Sequence, residues 1–135
     1  MEFQETMSTQ ESSRVFLAHG RDVSRMTALA RFLEEQGLAV IDPVSEPNAP
    51  LQDAAINALS SADIVVADLT GSNPNVFYEL GRARALNIPT ILITDKKEKV
   101  ALPTDLAGTQ IIFYDDADLT SMENRVIRAI RRLVG

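Results

Sequence analysis

Apolar positions along this chain follow two rhythms that alternate. Arg14 to His19 (RVFLAH) is a short continuous apolar run, and from Val23 to Gln36 the residues Met26, Leu29, Ala30, Phe32 and Leu33 return at helical spacing until Gly37 stops the helix. That is strand, loop, helix. Leu38 to Asp42 (LAVID) predicts a second strand, and Pro43 to Pro50, with three prolines, predicts a long loop. Leu51 to Ser60 reads as a helix from its Leu51, Ala54, Ala55, Ala58 and Leu59 pattern. Asp63 to Ala67 (DIVVA) is too uniformly apolar for an edge and belongs in mid-sheet. Asn73-Pro74 is a helix start by N-cap and N1 proline, and that helix runs to about Leu86 before Pro89 forces an exit. Pro89 to Thr94 is a fourth strand, Asp95 to Thr109 a polar segment, Gln110 to Tyr114 a fifth strand and Leu119 to Val134 a closing amphipathic helix.

Strands and helices alternate throughout. Continuous apolar strands need helices on both faces, which is the α/β, doubly wound parallel architecture. Right-handed crossovers leave few topologies, and the order 2-1-3-4-5 is expected, with ligands bound beyond the carboxyl ends of strands one and three, where the winding reverses. The loops that matter are then Ala18 to Asp22 and Asp68 to Asn75. Residues 1–13 are polar without periodicity and are expected to form a flexible tail, with Met7 an alternative start; residues 14–135 are expected to be one domain.

Composition narrows the chemistry. At 135 residues the chain is one domain's worth, and 45% hydrophobic residues supply a single core. With no cysteine and one histidine, disulfides, thiolate chemistry and the usual metal sites drop out, and no metal or cofactor is expected. No apolar stretch reaches the ~18 residues of a membrane span, and the amino terminus lacks the pattern of a signal peptide, so a cytoplasmic protein without membrane contact is expected. Thirteen basic against nineteen acidic residues give a net charge of −6. That sign opposes binding to polymeric nucleic acid, while a small anion can still be held by a helix N-terminus and one or two arginines.

The first loop, Ala18-His19-Gly20-Arg21-Asp22, lacks the glycine pattern of dinucleotide folds, and no P-loop pattern occurs. A phosphoacceptor receiver would place an acid where Asp68 stands but would need an acidic pair after strand one, where this chain has His19 and Gly20. Glu79 is the informative residue. At ~100° per residue, with Val76 at zero, Phe77, Leu80, Ala83 and Leu86 span one apolar arc, and Glu79 falls inside it. Burial and the helix dipole act on such a carboxylate in opposite directions, as they do on many catalytic acids. The competing reading is that Glu79 pairs with Arg82 or caps a neighbouring loop. Asp68, followed by Thr70-Gly71-Ser72, has its own structural reading as an Asx turn. His19 and Arg21 read equally as ordinary loop residues at the crevice edge, and Lys96, Lys97 and Lys99 as a solvated loop face.

Ala62 to Ala85 (ADIVVADLTGSNPNVFYELGRARA) resembles the signature of the nucleoside 2-deoxyribosyltransferase-like superfamily, in which a hydrophobic strand ends in Asp and a loop leads to a helix carrying Tyr-Glu-Leu-Gly. Val15 to Asp22 with the following helix, Leu38 to Pro43, and Leu102 to Tyr114 are similar to bacterial TIR-like nucleotide-binding domains, a structurally related group. The resemblance implies cleavage of an N-glycosidic bond. It makes Glu79 the residue that attacks or stabilises C1′ of the sugar and Asp68 a catalytic partner that orients the nucleophile or binds sugar or base. Ala18, His19, Gly20, Arg21, Asn75 and Tyr78 are the implied substrate contacts, with Phe77 more a core residue. The turn Ala18-His19-Gly20-Arg21 departs from the Ala-Gly-Pro type turn of deoxyribosyltransferases. With a cationic Arg21, that departure favours a phosphorylated substrate, a nucleoside monophosphate or NAD. The readings that stay open are an N-glycosidase of nucleotides, a transferase moving deoxyribose between bases, and a non-catalytic nucleotide-sensing or TIR-like assembly module. A homodimer or higher homo-oligomer is expected, since a compact domain with an open crevice often completes its site with a neighbour's loop and the resemblance implies proteins that commonly associate.

Overall fold

The computed structural model describes residues 13–20, 24–43, 53–98 and 111–134. The expected tail, the proline-rich stretch after Pro43, Arg21, Asp22, Lys99 and the segment up to Gln110 lie outside the described residues. Among the described residues five strands and four helices follow one another: β1 (Arg14–Ala18), α1 (Ser24–Glu35), β2 (Ala39–Ile41), α2 (Asp53–Ser60), β3 (Ile64–Asp68), α3 (Pro74–Ala85), β4 (Thr90–Asp95), β5 (Ile111–Tyr114) and α4 (Leu119–Val134). All neighbouring strands pair in parallel, in the order β2-β1-β3-β4-β5. This is the expected α/β architecture and strand order.

Position in the sheet follows from the residues. Every residue of β3 is buried, as a central strand requires, whereas the three-residue β2 at the edge is only half-covered. Alternation along the strands sorts their side chains into two cores. Val15, Leu17, Ile64, Val66, Ile91 and Ile93 pack against α1 and α4. Phe16, Ala18, Val65, Ala67 and Leu92 pack against α2 and α3. Each fully buried large side chain contributes on the order of 1.5–3 kcal/mol, so both layers are needed to hold the sheet. Among the described residues no helix is long and apolar enough to cross a membrane.

Three boundaries differ from expectation for local reasons. Asp95 does not open a polar segment; it is the last residue of β4, buried, with its amide donating to Thr70 Oγ1 at 2.8 Å. Leu86 leaves the apolar arc of α3 because it is the C-cap, and it is 44% exposed. Asn75 belongs to the first turn of α3 rather than to the loop before it.

Candidate active site

The helix that carries Glu79 begins where its sequence says it should. Asn73 is the N-cap, with φ −66° and ψ 121°, and its side chain accepts the Asn75 amide at 2.8 Å, while Pro74 follows as the first helical residue. Inside the helix Val76, Glu79, Leu80 and Ala83 are the buried positions, and Glu79 is 1% exposed. The inward direction expected from the helical wheel is therefore the observed one. Glu79 stands past the first turn, where the helix dipole has largely decayed.

The β1 loop meets the start of that helix. A Cβ added to Gly20 would come within 3.0 Å of Asn73 Nδ2, so glycine is what lets the loop lie against the N-cap. The β3–α3 loop turns back through Gly71 (φ 84°) and Ser72 (φ 51°); the latter is a non-glycine residue in the left-handed region. His19, expected at the crevice edge, is instead buried at 1% exposure. Its Nε2 bonds the Asp42 carboxylate, and its Nδ1 faces the Gly20 carbonyl at 2.8 Å. Both partners are acceptors, so both ring nitrogens are satisfied only when both carry hydrogen. Burial opposes the charge, but Asp42, the Gly20 carbonyl and the more distant Asp68 outweigh it and raise the His19 pKa above its ordinary value.

Asp68 ends β3 on the other side of the sheet. It continues the alternation of Ile64 and Val66, which face α1 and α4, while Glu79 descends from the helix over the opposite face. Oδ1 accepts the Thr70 amide at 3.1 Å, the Asx turn that the sequence allowed. Oδ2 accepts the Tyr114 hydroxyl at 3.1 Å and lies 3.9 Å from Arg25 Nε. Arg25, itself buried, also reaches Asp116 at 2.7 Å and Asp95 at 3.7 Å, and its guanidinium lies over the Tyr114 ring, 5.4 Å from the centroid. Burial raises the Asp68 pKa although Thr70, Arg25 and Tyr114 all favour its charged form. Burial and the Asp68 charge likewise push Tyr114 far up, so its hydroxyl stays a proton donor.

The structure thus joins Ala18, His19, Gly20 and the Asn73 cap at one end of the sheet, with Glu79 on the helix that the cap starts. Asp68 sits at the same end, bonded to Thr70 and Tyr114 and facing Arg25. Tyr78 is 53% exposed, and Phe77 is partly buried against the core. Lys96 and Lys97 are exposed as expected, Lys96 bridging Asp115 at 3.1 Å. Sequence reasoning passed over Arg25, Tyr114, Asp42 and Thr94. Arg25 carried a signal, since it precedes Met26 on the buried side of α1; Thr94 was read only as a strand residue. Its hydroxyl is buried near the carboxyl end of β4 and has no hydrogen-bond partner among the described residues. No cluster of metal-ligating side chains occurs among the described residues.

No protein-family model matches the chain. A 5-hydroxymethyl-dUMP N-hydrolase of Rattus norvegicus is 29% identical, the match covering 82% of this chain and 75% of that protein. Among solved structures, the CMP N-glycosidase BcmB of Clostridium botulinum superposes with a TM-score of 0.62 at 24% identity, over 84% of this chain and 98% of its own. A 2-deoxyribosyltransferase of Bacillus psychrosaccharolyticus superposes with a TM-score of 0.58 at 15% identity, over 83% and 91%. The resemblance read from the sequence is thus met by a 29% identical nucleotide N-hydrolase and by the shared fold of a 2-deoxyribosyltransferase.

Proposed function

We propose that this protein is an N-glycosidase that releases the base from a nucleoside 5′-monophosphate, with Glu79 beneath C1′ of the sugar. The observation that carries the reading is the burial of Glu79 on a helix whose N-cap packs against the β1 loop, within the segment that bears the superfamily signature. The rat relative, by its name a hydrolase of a nucleoside monophosphate, supports the substrate class and favours water as acceptor.

In the reaction the Glu79 carboxylate forms a bond to C1′ as the C1′–N bond breaks, its electron pair leaving with the base, which takes up a proton. Water then attacks C1′, frees the carboxylate and gives ribose or deoxyribose phosphate. Ala18, Gly20 and Asn75 line the sugar side, Arg21 supplies positive charge toward the phosphate, His19 fixes the β1 loop through Asp42 and the Gly20 carbonyl, and Tyr78 contacts the base. Asp68 acts by holding the loop that leads to Asn73. The same reading places the enzyme in the cytoplasm as at least a dimer; sedimentation showing a fully active monomer would refute the dimer.

The test is product analysis. Incubation with CMP, 5-hydroxymethyl-dUMP, NAD and free deoxynucleosides, followed by chromatography of released base, should show release from a monophosphate by the wild type and none by Glu79→Gln. Release from NAD alone would move the assignment to NAD hydrolysis. Turnover that requires a second base would indicate transfer, and no release from any substrate would leave the sensing or TIR-like assembly module as the better reading.

A further inference from the structure

One concavity among the described residues lies away from the carboxyl ends of the strands. A cavity of about 420 Å³ lies between the start of β4 and the carboxyl-terminal half of α4, within the size range of small-molecule sites, roughly 300–1,000 Å³. Thr90, Ile91 and Ile112 form its sheet side, and Arg125, Arg128 and Arg132 its helix side. Thr90 begins the strand that Asp95 ends. At about 3.3 Å per residue, the cavity is some 15 Å or more from the carboxyl end, so it is a separate place.

The arginines are arranged for a ligand rather than for the helix alone. Spaced three and four residues apart, they share one stripe of α4. Arg131, on the other flank, is the one that reaches across to Gln36. Arg125 is held by its bond to the Phe113 carbonyl at 2.8 Å, which fixes one guanidinium at the cavity wall. In a chain of net charge −6, three guanidiniums line a hollow to which the described residues contribute no carboxylate. Arginine forks match phosphate oxygens in pairs, and the isoleucine wall gives the organic part of a ligand an apolar surface.

We propose that this cavity is a second anion site, taking a small organic molecule that carries a pyrophosphate group. Three cations ask for more than one phosphate charge, and the volume admits a nucleotide-sized body.

The test is titration of the full chain with inorganic pyrophosphate at about 0.1 M salt, followed by the amide resonances of Thr90, Ile112 and Ala129, with those of His19 and Asp68 as the control for binding at the strand carboxyl ends. Saturable shifts confined to the first group, with affinity reduced tenfold or more in Arg128→Gln/Arg132→Gln, are expected. Both residues are exposed, and Arg128→Gln alone should give a smaller loss in the same direction. The proposal is overturned if the shifts do not saturate, if sulfate at equal ionic strength reproduces them, if only His19 and Asp68 respond, or if the double variant binds as the wild type does. A dimer that the double variant dissociates would assign the stripe to a second copy of the chain and equally overturn it. Base release by Arg128→Gln/Arg132→Gln should be unchanged, so this site can fail while the proposed function stands.

Discussion

Two buried carboxylates stand at the same end of this sheet, on opposite faces, and their settings differ. Asp68 is bonded to its own loop through Thr70, to β5 through Tyr114, and faces α1 through Arg25, which in turn gathers Asp95 and Asp116. It joins elements that are distant in sequence. Glu79 is buried on α3, on the same helix face as Val76, Leu80 and Ala83. Asp68 thus ties the carboxyl ends of β3 and β5 to α1, while Glu79 is carried by the helix that the Asn73 cap starts.

The sharpest way to break this contrast is to remove each charge and measure both activity and stability. Glu79→Gln keeps the shape and should lower base release by 10³-fold or more, the scale on which loss of a nucleophile acts, with little change in melting temperature. Retained turnover would end the assignment of Glu79. Arg25→Met should do the reverse. It leaves Asp68 and Asp95 buried without their cation, at a cost of about 3–5 kcal/mol, or a melting temperature lower by roughly 10–20 °C. Asp68→Asn keeps an acceptor for Thr70 but loses the charge opposite Arg25, so it should cost less, about 1.5–3 kcal/mol. If Asp68→Asn instead lowers turnover and leaves melting unchanged, Asp68 belongs with Glu79 in the chemistry.

That contrast also shows what the sequence made legible. The inward turn of Glu79 follows from periodicity, because one apolar arc leaves a single way to bury it, and the strand order from alternating strands and helices joined by right-handed crossovers. The Asx turn at Asp68 was visible as a local pattern. Its network was not, since Arg25, Tyr114 and Asp116 are brought together only by the crossovers of the fold. His19 was misplaced at the crevice edge for the same reason: its partner Asp42 lies on a neighbouring strand end, and a pairing of that kind leaves no periodic trace.

A smaller effect sharpens the substrate side of the comparison. Arg21 follows the Gly20 that packs on the N-cap, and Arg21→Ala should raise KM for a nucleoside monophosphate about tenfold, the loss of one charge-assisted bond worth roughly 1.5–3 kcal/mol. An unphosphorylated nucleoside should be nearly unaffected. Equal losses for both substrates would mean that Arg21 positions protein groups instead.

The smallest expected effect concerns pH and His19. Its ring lies between two acceptors, Asp42 and the Gly20 carbonyl, and its pKa is raised in the folded protein despite burial. The folded state therefore binds this proton more tightly than the unfolded chain, where histidine titrates near 6.5. The stabilisation is fully present below about pH 6.5 and is lost as pH rises through the folded pKa. Screening limits its size, because the Asp42 side chain is 27% exposed. Urea unfolding of the wild type and His19→Gln at about pH 5.5, 7 and 8.5 should show a stability difference that shrinks toward alkaline pH, with the other titrating groups cancelling between the two proteins. Asp42→Asn should shift the His19 ring resonances to a lower midpoint. A difference independent of pH would show that His19 is held neutral, and its bond to Asp42 would then be one between uncharged imidazole and carboxylate.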